Sequence, residues 1–361
     1  MTPGLRALLA AGLALLGTGA VGDHLEAKVY AFPAAGAATR EVTIYSTTDI
    51  WVARPLITDF QAGHAGINVL YDELQTLELH DRVLEESAAG HGTADLVISS
   101  AMDLQMKLAN DGYAATLSLP SAGPLPAWTK WRDEAFAISF EPAAIVYNRE
   151  YFAGRAPPRS RQELTALLDA PGSPLFDRVV TYDIERSGLG FLFLARDAAH
   201  SNGIWTLVRL LGANRVKLYT NTAAMLDRIA DGRSVLGYNL LGSYAVARAA
   251  SEPALGVILP EDYTVVTSRI ALVPEAARDP EAGRMFLDYL LSARGQAVLA
   301  DKAKIGAVHP AVLGPNTAAS MLAEPGHRLR PIKVGPGLLV YLDQVKRERL
   351  LTHWRRALGG H

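Results

Sequence analysis

From Glu41 onward the apolar positions switch repeatedly between two periods. In EVTIY, Val42 and Ile44 alternate with polar neighbours, the pattern of a half-buried strand. TDIWVARPLITDFQAG reads as a helix ending at Gly63, and INVLYD resumes a strand. LELHDRVLEESAAG sets Leu77, Val83 and Leu84 on one helical side, and ADLVIS follows as a short buried strand. Strands and helices in turn build a parallel sheet with right-handed crossovers. A second set begins near Ile138, where FAISFEPAAIVYNREYF offers two apolar segments around Glu141 and Pro142. RQELTALLD is then a helix, RVVTYD a strand, SGLGFLFLARDAA a helix opened by small residues, TNTAAMLDRIADG an amphipathic helix and SVLGYN a strand. GVILPEDYTVVTSRIALVP supplies further strands and PEAGRMFLDYLLSARGQAVLADKA a helix pair. No period of roughly 20 to 50 residues recurs, which excludes a solenoid or propeller. Two α/β lobes, each around a parallel sheet, are predicted.

The closing segment, RPIKVGPGLLVYLDQVKRERLLTHWRRAL, predicts a helix after Gly337 with Leu339, Leu342, Val345 and Leu350 docked on a lobe. Lys346, Arg347, Arg349, Arg355 and Arg356 then form a solvated basic face.

Length supports two lobes, because a chain of 361 residues exceeds the size at which one core usually divides. The N-terminus adds a destination. Arg6, an apolar run from Ala7 to Leu16 and small residues up to Ala20 have the order of a secretory signal, residues 1–20, followed by a leader over 21–40. The run is shorter than the roughly 20 residues that span a bilayer, so a soluble, exported protein is expected in the periplasm. A net charge of -2 argues against a nucleic-acid partner. The absence of Cys excludes disulfides, thiolate metal sites and cysteine nucleophiles. No G-x-S-x-G elbow, P-loop or H-E-x-x-H occurs, and the one G-x-G-x-x-G, Gly17 to Gly22, falls across the end of the signal segment. The nine His residues are scattered without ligand spacing. Neither catalysis, a cofactor nor a bound metal is expected.

Ligands of parallel sheets sit beyond the carboxyl ends of the strands, where unpaired helix N-terminal N–H groups favour anions. Four such loops stand out. Thr47, Thr48 and Asp49 follow the first strand, and Ser99 and Ser100 follow ADLVI; these side chains either hold a ligand or cap the next helix. In TYDIERSGLG, Tyr182, Arg186, Ser187 and Gly188 combine an aromatic, a cation, a hydroxyl and a glycine that admits close backbone approach. In GYNLLGSYA, Tyr238 and Asn239 offer hydrogen bonds and an aromatic wall, while Tyr244 reads better as a packed residue.

ADLVISS, the Val146-Tyr147-Asn148 step, TYDIERSGLG, LGYNLLGSYA and above all ALVPEAARDPEAGRMFLDYLLSARGQAVLAD resemble the extracellular solute-binding proteins of ABC transporters. Within them the chain is most similar to the branch of ferric-ion, 2-aminoethylphosphonate, phosphoglycerate and hexose-phosphate receptors. The resemblance implies a type II periplasmic binding protein whose chain crosses the hinge twice, with lobe 1 over 41–137, lobe 2 over 138–256, and a return to lobe 1 with the C-terminal helices over 257–361. It implies a monomer that closes on a small molecule and presents the closed form to an inner-membrane permease or, as in the phosphoglycerate branch, to a sensor kinase. Iron-binding relatives use adjacent tyrosines where this chain has NLLGS at 239–243, an acidic ligand near Ser100, and often histidine where Asp49 stands. Free ferric iron is therefore disfavoured, although a metal or metal-chelate receptor remains an alternative. An organic anion or zwitterion, phosphorylated, phosphonate or carboxylate, is expected, and Asp49 in the cleft would suit an amine.

Overall fold

The computed structural model describes residues 28–326 and 328–359, so the signal segment at 1–20 lies outside the described residues. The first lobe opens with β1 (Lys28–Phe32), β2 (Arg40–Ser46), α1 (Ile50–Gly63), β3 (Ile67–Glu73), α2 (Thr76–Ala89), β4 (Leu96–Ser99), α3 (Met102–Asn110), β5 (Lys130–Trp131) and β6 (Ala135–Ala137). The second lobe runs through β7 (Glu141–Asn148), α4 (Arg161–Asp169), β8 (Val179–Tyr182), α5 (Gly188–His200), α6 (Ile204–Ala213), β9 (Lys217–Tyr219), α7 (Thr222–Ala230), β10 (Leu236–Leu241), α8 (Gly242–Ala249), β11 (Leu255–Ile258) and β12 (Thr264–Thr267). β13 (Ile270–Leu272), α9 (Pro280–Leu291), α10 (Ala293–Asp301) and α11 (Ala318–Ala323) follow, and β14 (Leu329–Pro331) and α12 (Gln344–Leu358) end the chain.

The strands form two sheets, in the orders β1-β3-β2-β4-β13-β6-β5 and β14-β12-β7-β10-β8-β9, with β11 beside β12 on β7. Each has a parallel core, β3-β2-β4 in one and β10-β8-β9 in the other. The strands that arrive from the opposite lobe, β13 and β7, enter antiparallel, which makes both sheets mixed rather than purely parallel. One apolar cluster runs from the first lobe through the hinge to the cleft side of the second. Another fills the far side of the second sheet beneath α4, α5, α6 and α12.

The chain crosses between the lobes at Ile138–Phe140 and at Ser268–Arg269. β11 and β12 still pair with β7, so the return to the first sheet comes at Ile270 and not at Val257. Two other expectations need correction. Lys28–Phe32 is not a leader but an edge strand, antiparallel to β3, whose Tyr30 and Phe32 turn onto the core while Val29 faces out. That period-two pattern is short and stands beside the export segment, which hides it. The C-terminal helix also starts later than predicted. A 3-10 turn spans Pro336–Tyr341, and Asp343 restarts the chain as N-cap of α12 by accepting from the Lys346 amide. The restart rotates the register, so Val345 is exposed and Leu350, Leu351 and Trp354 are buried. The turn rests on α3 of the first lobe, whereas α12 packs on α6 of the second.

Candidate functional site

The carboxyl ends of both parallel cores face one another, and the helices that follow them begin at the opening between the lobes. There lies a cavity of about 170 Å³, lined from the first lobe by the loops after β2, β3 and β4 and from the second by the ends of β8, β9 and β10. About 10–15 Å³ of such space is enough for one water, so the cavity has room for a small solute.

On the first lobe, Thr47 and Ser100 brace each other: the Ser100 amide donates to Thr47 Oγ1 at 3.1 Å and the hydroxyls stand 3.4 Å apart. Asp49 faces the cavity, takes a hydrogen bond from Trp51 Nε1 at 3.1 Å, and has its carboxyl pushed up by burial. Glu73, at the end of β3, accepts from the Ile50 amide at 2.8 Å and is likewise pushed up, by burial first and by the charge of Asp49 among its neighbours. The antiparallel register of β1 sets Lys28 opposite Glu73, with Nζ 3.7 Å from its carboxylate. Gln75 and Glu78 form a capping box on α2.

On the second lobe, Tyr182 and Thr222 share a hydroxyl contact of 2.5 Å, and Asn221 caps α7 by accepting from the Ala224 amide. Leu241 and Tyr244 complete the wall. Among the described residues two hydrogen bonds cross the cleft: the Asp49 amide donates to the Tyr244 hydroxyl at 3.1 Å, and the Gly188 amide to Thr76 Oγ1 at 2.8 Å. A Cβ at Gly188 would come within 2.8 Å of a Leu104 methyl and 3.1 Å of Ala101 on the other lobe, so a side chain here has to push the other lobe's surface aside.

Of the residues singled out from the sequence, Thr47, Asp49, Ser100 and Tyr182 line the cavity. Thr48 is buried behind it and accepts from Arg269. Ser99 turns inward to take the Ala101 amide, and Ser187 caps α5 by taking the Gly190 amide. Gly188 is at the lobe contact rather than on the cavity wall, and Arg186 is exposed outside the cavity. Tyr238 and Asn239 point into the second lobe, where both donate to Asp197 at 2.7 Å. The cause is a bulge in β10: Asn239 adopts a left-handed φ of 61° and the pairing with β7 slips between Gly237 and Leu240. Tyr244 is both packed and part of the wall. The cavity also brings in Lys28, Glu73, Gln75, Thr76, Glu78 and the run Thr220–Ala223. The last was open to discovery, since Thr220, Asn221 and Thr222 are short polar side chains between a strand and a helix, the feature used for the first loop.

Six helix N-termini, those of α1, α2, α3, α5, α7 and α8, gather around a cavity that also holds three carboxylates and one lysine. Such an arrangement can bind and orient a polar solute. Among the described residues no group of three or more His, Cys, Asp and Glu is arranged to hold a metal ion, and no helix is long and apolar enough to cross a membrane.

Two mixed sheets with a ligand-sized cleft at their facing carboxyl ends define a type II periplasmic binding protein, a fold shared with the solved structures below. The chain belongs to the bacterial extracellular solute-binding proteins, whose family profile matches residues 55–321. It is similar to the substrate binding protein of an ABC transporter from Agrobacterium tumefaciens, at 48% identity and a TM-score of 0.89 over 92% of this chain and 98% of that one. The periplasmic binding protein AfuA from Actinobacillus pleuropneumoniae, with exogenous fructose-6-phosphate bound, matches at 15% identity and 0.73 over 89% and 99%. Iron-bound HitA from Pseudomonas aeruginosa matches at 17% and 0.67 over 88% and 99%. At those identities the latter two speak for the fold alone. Comparison with curated protein sequences found no match.

Proposed function

We propose that this protein is the periplasmic receptor of an ABC transporter for a small zwitterionic solute, one with an ammonium group and an acidic group. The observation that carries this reading is the pairing of opposite fields in one cavity. Asp49 and Glu73 offer carboxylates on the first lobe, while the second lobe presents the start of α7 with Thr220, Asn221 and Thr222. Helix N-termini attract the acidic end of a ligand, and buried carboxylates attract an amine. A bare anion would meet Asp49, whose carboxylate has no ion pair among the described residues, beside a Glu73 already paired with Lys28, and Arg186, the cation expected to hold it, is outside the cavity. The 48% identical relative, described as an ABC transporter's substrate binding protein, supports delivery to an inner-membrane permease. The receptor acts by binding, without a cofactor, as a monomer.

A thermal-shift and calorimetry panel tests the charge assignment with matched pairs: 2-aminoethylphosphonate against ethylphosphonate, and β-alanine against propionate. A ligand specific for the native state raises apparent stability. At least one amine-bearing member should shift the melting temperature while its amine-free partner does not. Equal shifts from both members of every responding pair, or a response to ferric iron or phosphate esters alone, would refute the zwitterion reading. Asp49→Asn should weaken the responding ligand by about 1.5 to 3 kcal/mol, the scale of a hydrogen bond to a charged group.

A further inference from the structure

The two hinge crossings carry a buried ion pair. Glu141 opens β7 on the second-lobe side of the first crossing, and Arg269 precedes β13 at the second. Their side chains are 0% and 2% exposed, with Arg269 Nε 3.0 Å from Glu141 Oε1, off the line of a hydrogen bond, and Nη2 3.3 Å from Oε2. Ser139 ties the crossings a second time, accepting from the Arg269 amide and donating to Glu141 Oε1, each at 2.8 Å.

Followed outward, the pair reaches both walls of the cavity. Arg269 Nη1 donates to Thr48 Oγ1 at 2.7 Å, and Thr48 adjoins Asp49. The Asp49 amide donates to the Tyr244 hydroxyl, and Tyr244 adjoins Ser243. Ser243 Oγ donates back to Glu141 Oε2 at 2.5 Å. The contacts therefore close into a ring, Arg269–Thr48–Asp49–Tyr244–Ser243–Glu141, and the Arg269 guanidinium also stands 5.2 Å from the centre of the Tyr244 ring. Thr48 and Asp49 belong to the first lobe, Tyr244, Ser243 and Glu141 to the second. Rotation about the hinge that parts the walls has to break the ring, and the neutral link at Asp49–Tyr244 is its weakest member.

We propose that Arg269 is a positioning residue for capture: it sets the Thr47–Asp49 loop against Tyr244 through the ring, so that protein contacts alone populate the closed form of the free protein. The proposal rests on two-lobe capture and is independent of the ligand's charge. A closed form already populated lowers the cost of selecting it and so tightens binding.

The chain lacks Cys, so spin labels at the exposed positions Ala88→Cys on α2 and Asn202→Cys before α6 report the distance between lobes in the full-length mature protein without competing thiols. The unliganded protein is expected to show a closed population. Glu141→Gln/Arg269→Met, which removes both charges together and leaves no orphan ion, should reduce that population at least threefold while the protein stays folded. Thr48→Val and Ser243→Ala cut the ring on either side of the pair and keep the test decisive if the double variant does not fold. Arg269→Lys should recover part of the closed population. A pair that only supports the fold would lower the melting temperature and leave the distances of the folded molecules unchanged. That result, or a wild-type protein with no closed population, overturns the proposal.

Discussion

Two buried arginines show how the same chemistry serves different ends. In the second lobe Asp197, fully buried, receives Arg161 Nη2 at 3.0 Å, the hydroxyls of Tyr238 and Tyr263 at 2.7 and 2.8 Å, and the Asn239 amide at 2.7 Å. Every partner belongs to that lobe, so the network is indifferent to hinge rotation and acts on the fold. At the hinge, Arg269 and Glu141 have partners in both lobes and feel every change in their separation. Burial and pairing are alike in the two; what differs is whether the partners move together. A buried ion pair is weak evidence for stability in general, since desolvation offsets much of its attraction, and its role has to be read from what it connects.

The largest effect should come from the lobe-internal network. Asp197→Ala takes the acceptor from four donors and leaves Arg161 with the partly exposed Asp262 as its remaining carboxylate, and it should cost about 3–5 kcal/mol in urea denaturation, with the label distances of the remaining folded molecules unchanged. A change in those distances would break the contrast. Asp103 sharpens it, as a buried acid hydrogen-bonded to the Leu104 amide of its own helix, with Arg347 acting only at a distance. Burial pushes its carboxyl up to about 7. The folded value lies above the unfolded one, so the penalty is absent below about pH 3, grows as the unfolded chain ionises first, and is complete above pH 7. Asp103→Asn should therefore match wild type near pH 3 and be more stable at pH 8, by about 4 kcal/mol, with a slope of at most ~1.4 kcal/mol per pH unit between. An equal difference at both pH values would show that Asp103 is not the titrating group.

Gly188→Val should act on closure without touching either arginine. Its side chain would meet Leu104 and Ala101 across the cleft, and the closed population should fall about tenfold, or ~1.4 kcal/mol, with the melting temperature little changed. Smallest is Tyr244→Phe, which removes the acceptor of the Asp49 amide and should shift the same equilibrium by about 1 kcal/mol. If it shifts the distances more than Gly188→Val does, the ring rather than the glycine contact governs the gape.

Much of the architecture was legible because periodicity reports burial. Helix α4 falls on the predicted residues, and the α9–α10 pair lies within its predicted segment. Pairing partners are a different matter. Nothing local in AISFEPAA says that β7 will run antiparallel to β10, since that direction is imposed by the crossing between lobes. The site divides in the same way. Thr47, Asp49 and Ser100 were visible as polar residues at strand ends, but Glu73 and Gln75 follow a strand whose end was read only as structure. Tyr238 and Asn239 were misdirected by one bulge, which no alternation of residue types announces. Nothing local in TSRIALVP marks Arg269, and only the fold puts it beside Glu141.

The 3-10 turn at Pro336–Tyr341 rests on α3 and the helix from Gln344 on α6, leaving Leu342 and Asp343 as the span between. Two residues reach about 7 Å at full stretch. The edge of the molecule where α3 and α6 are tied is thus held by a short tether: parting the lobes there would have to lift the turn off α3 or the helix off α6.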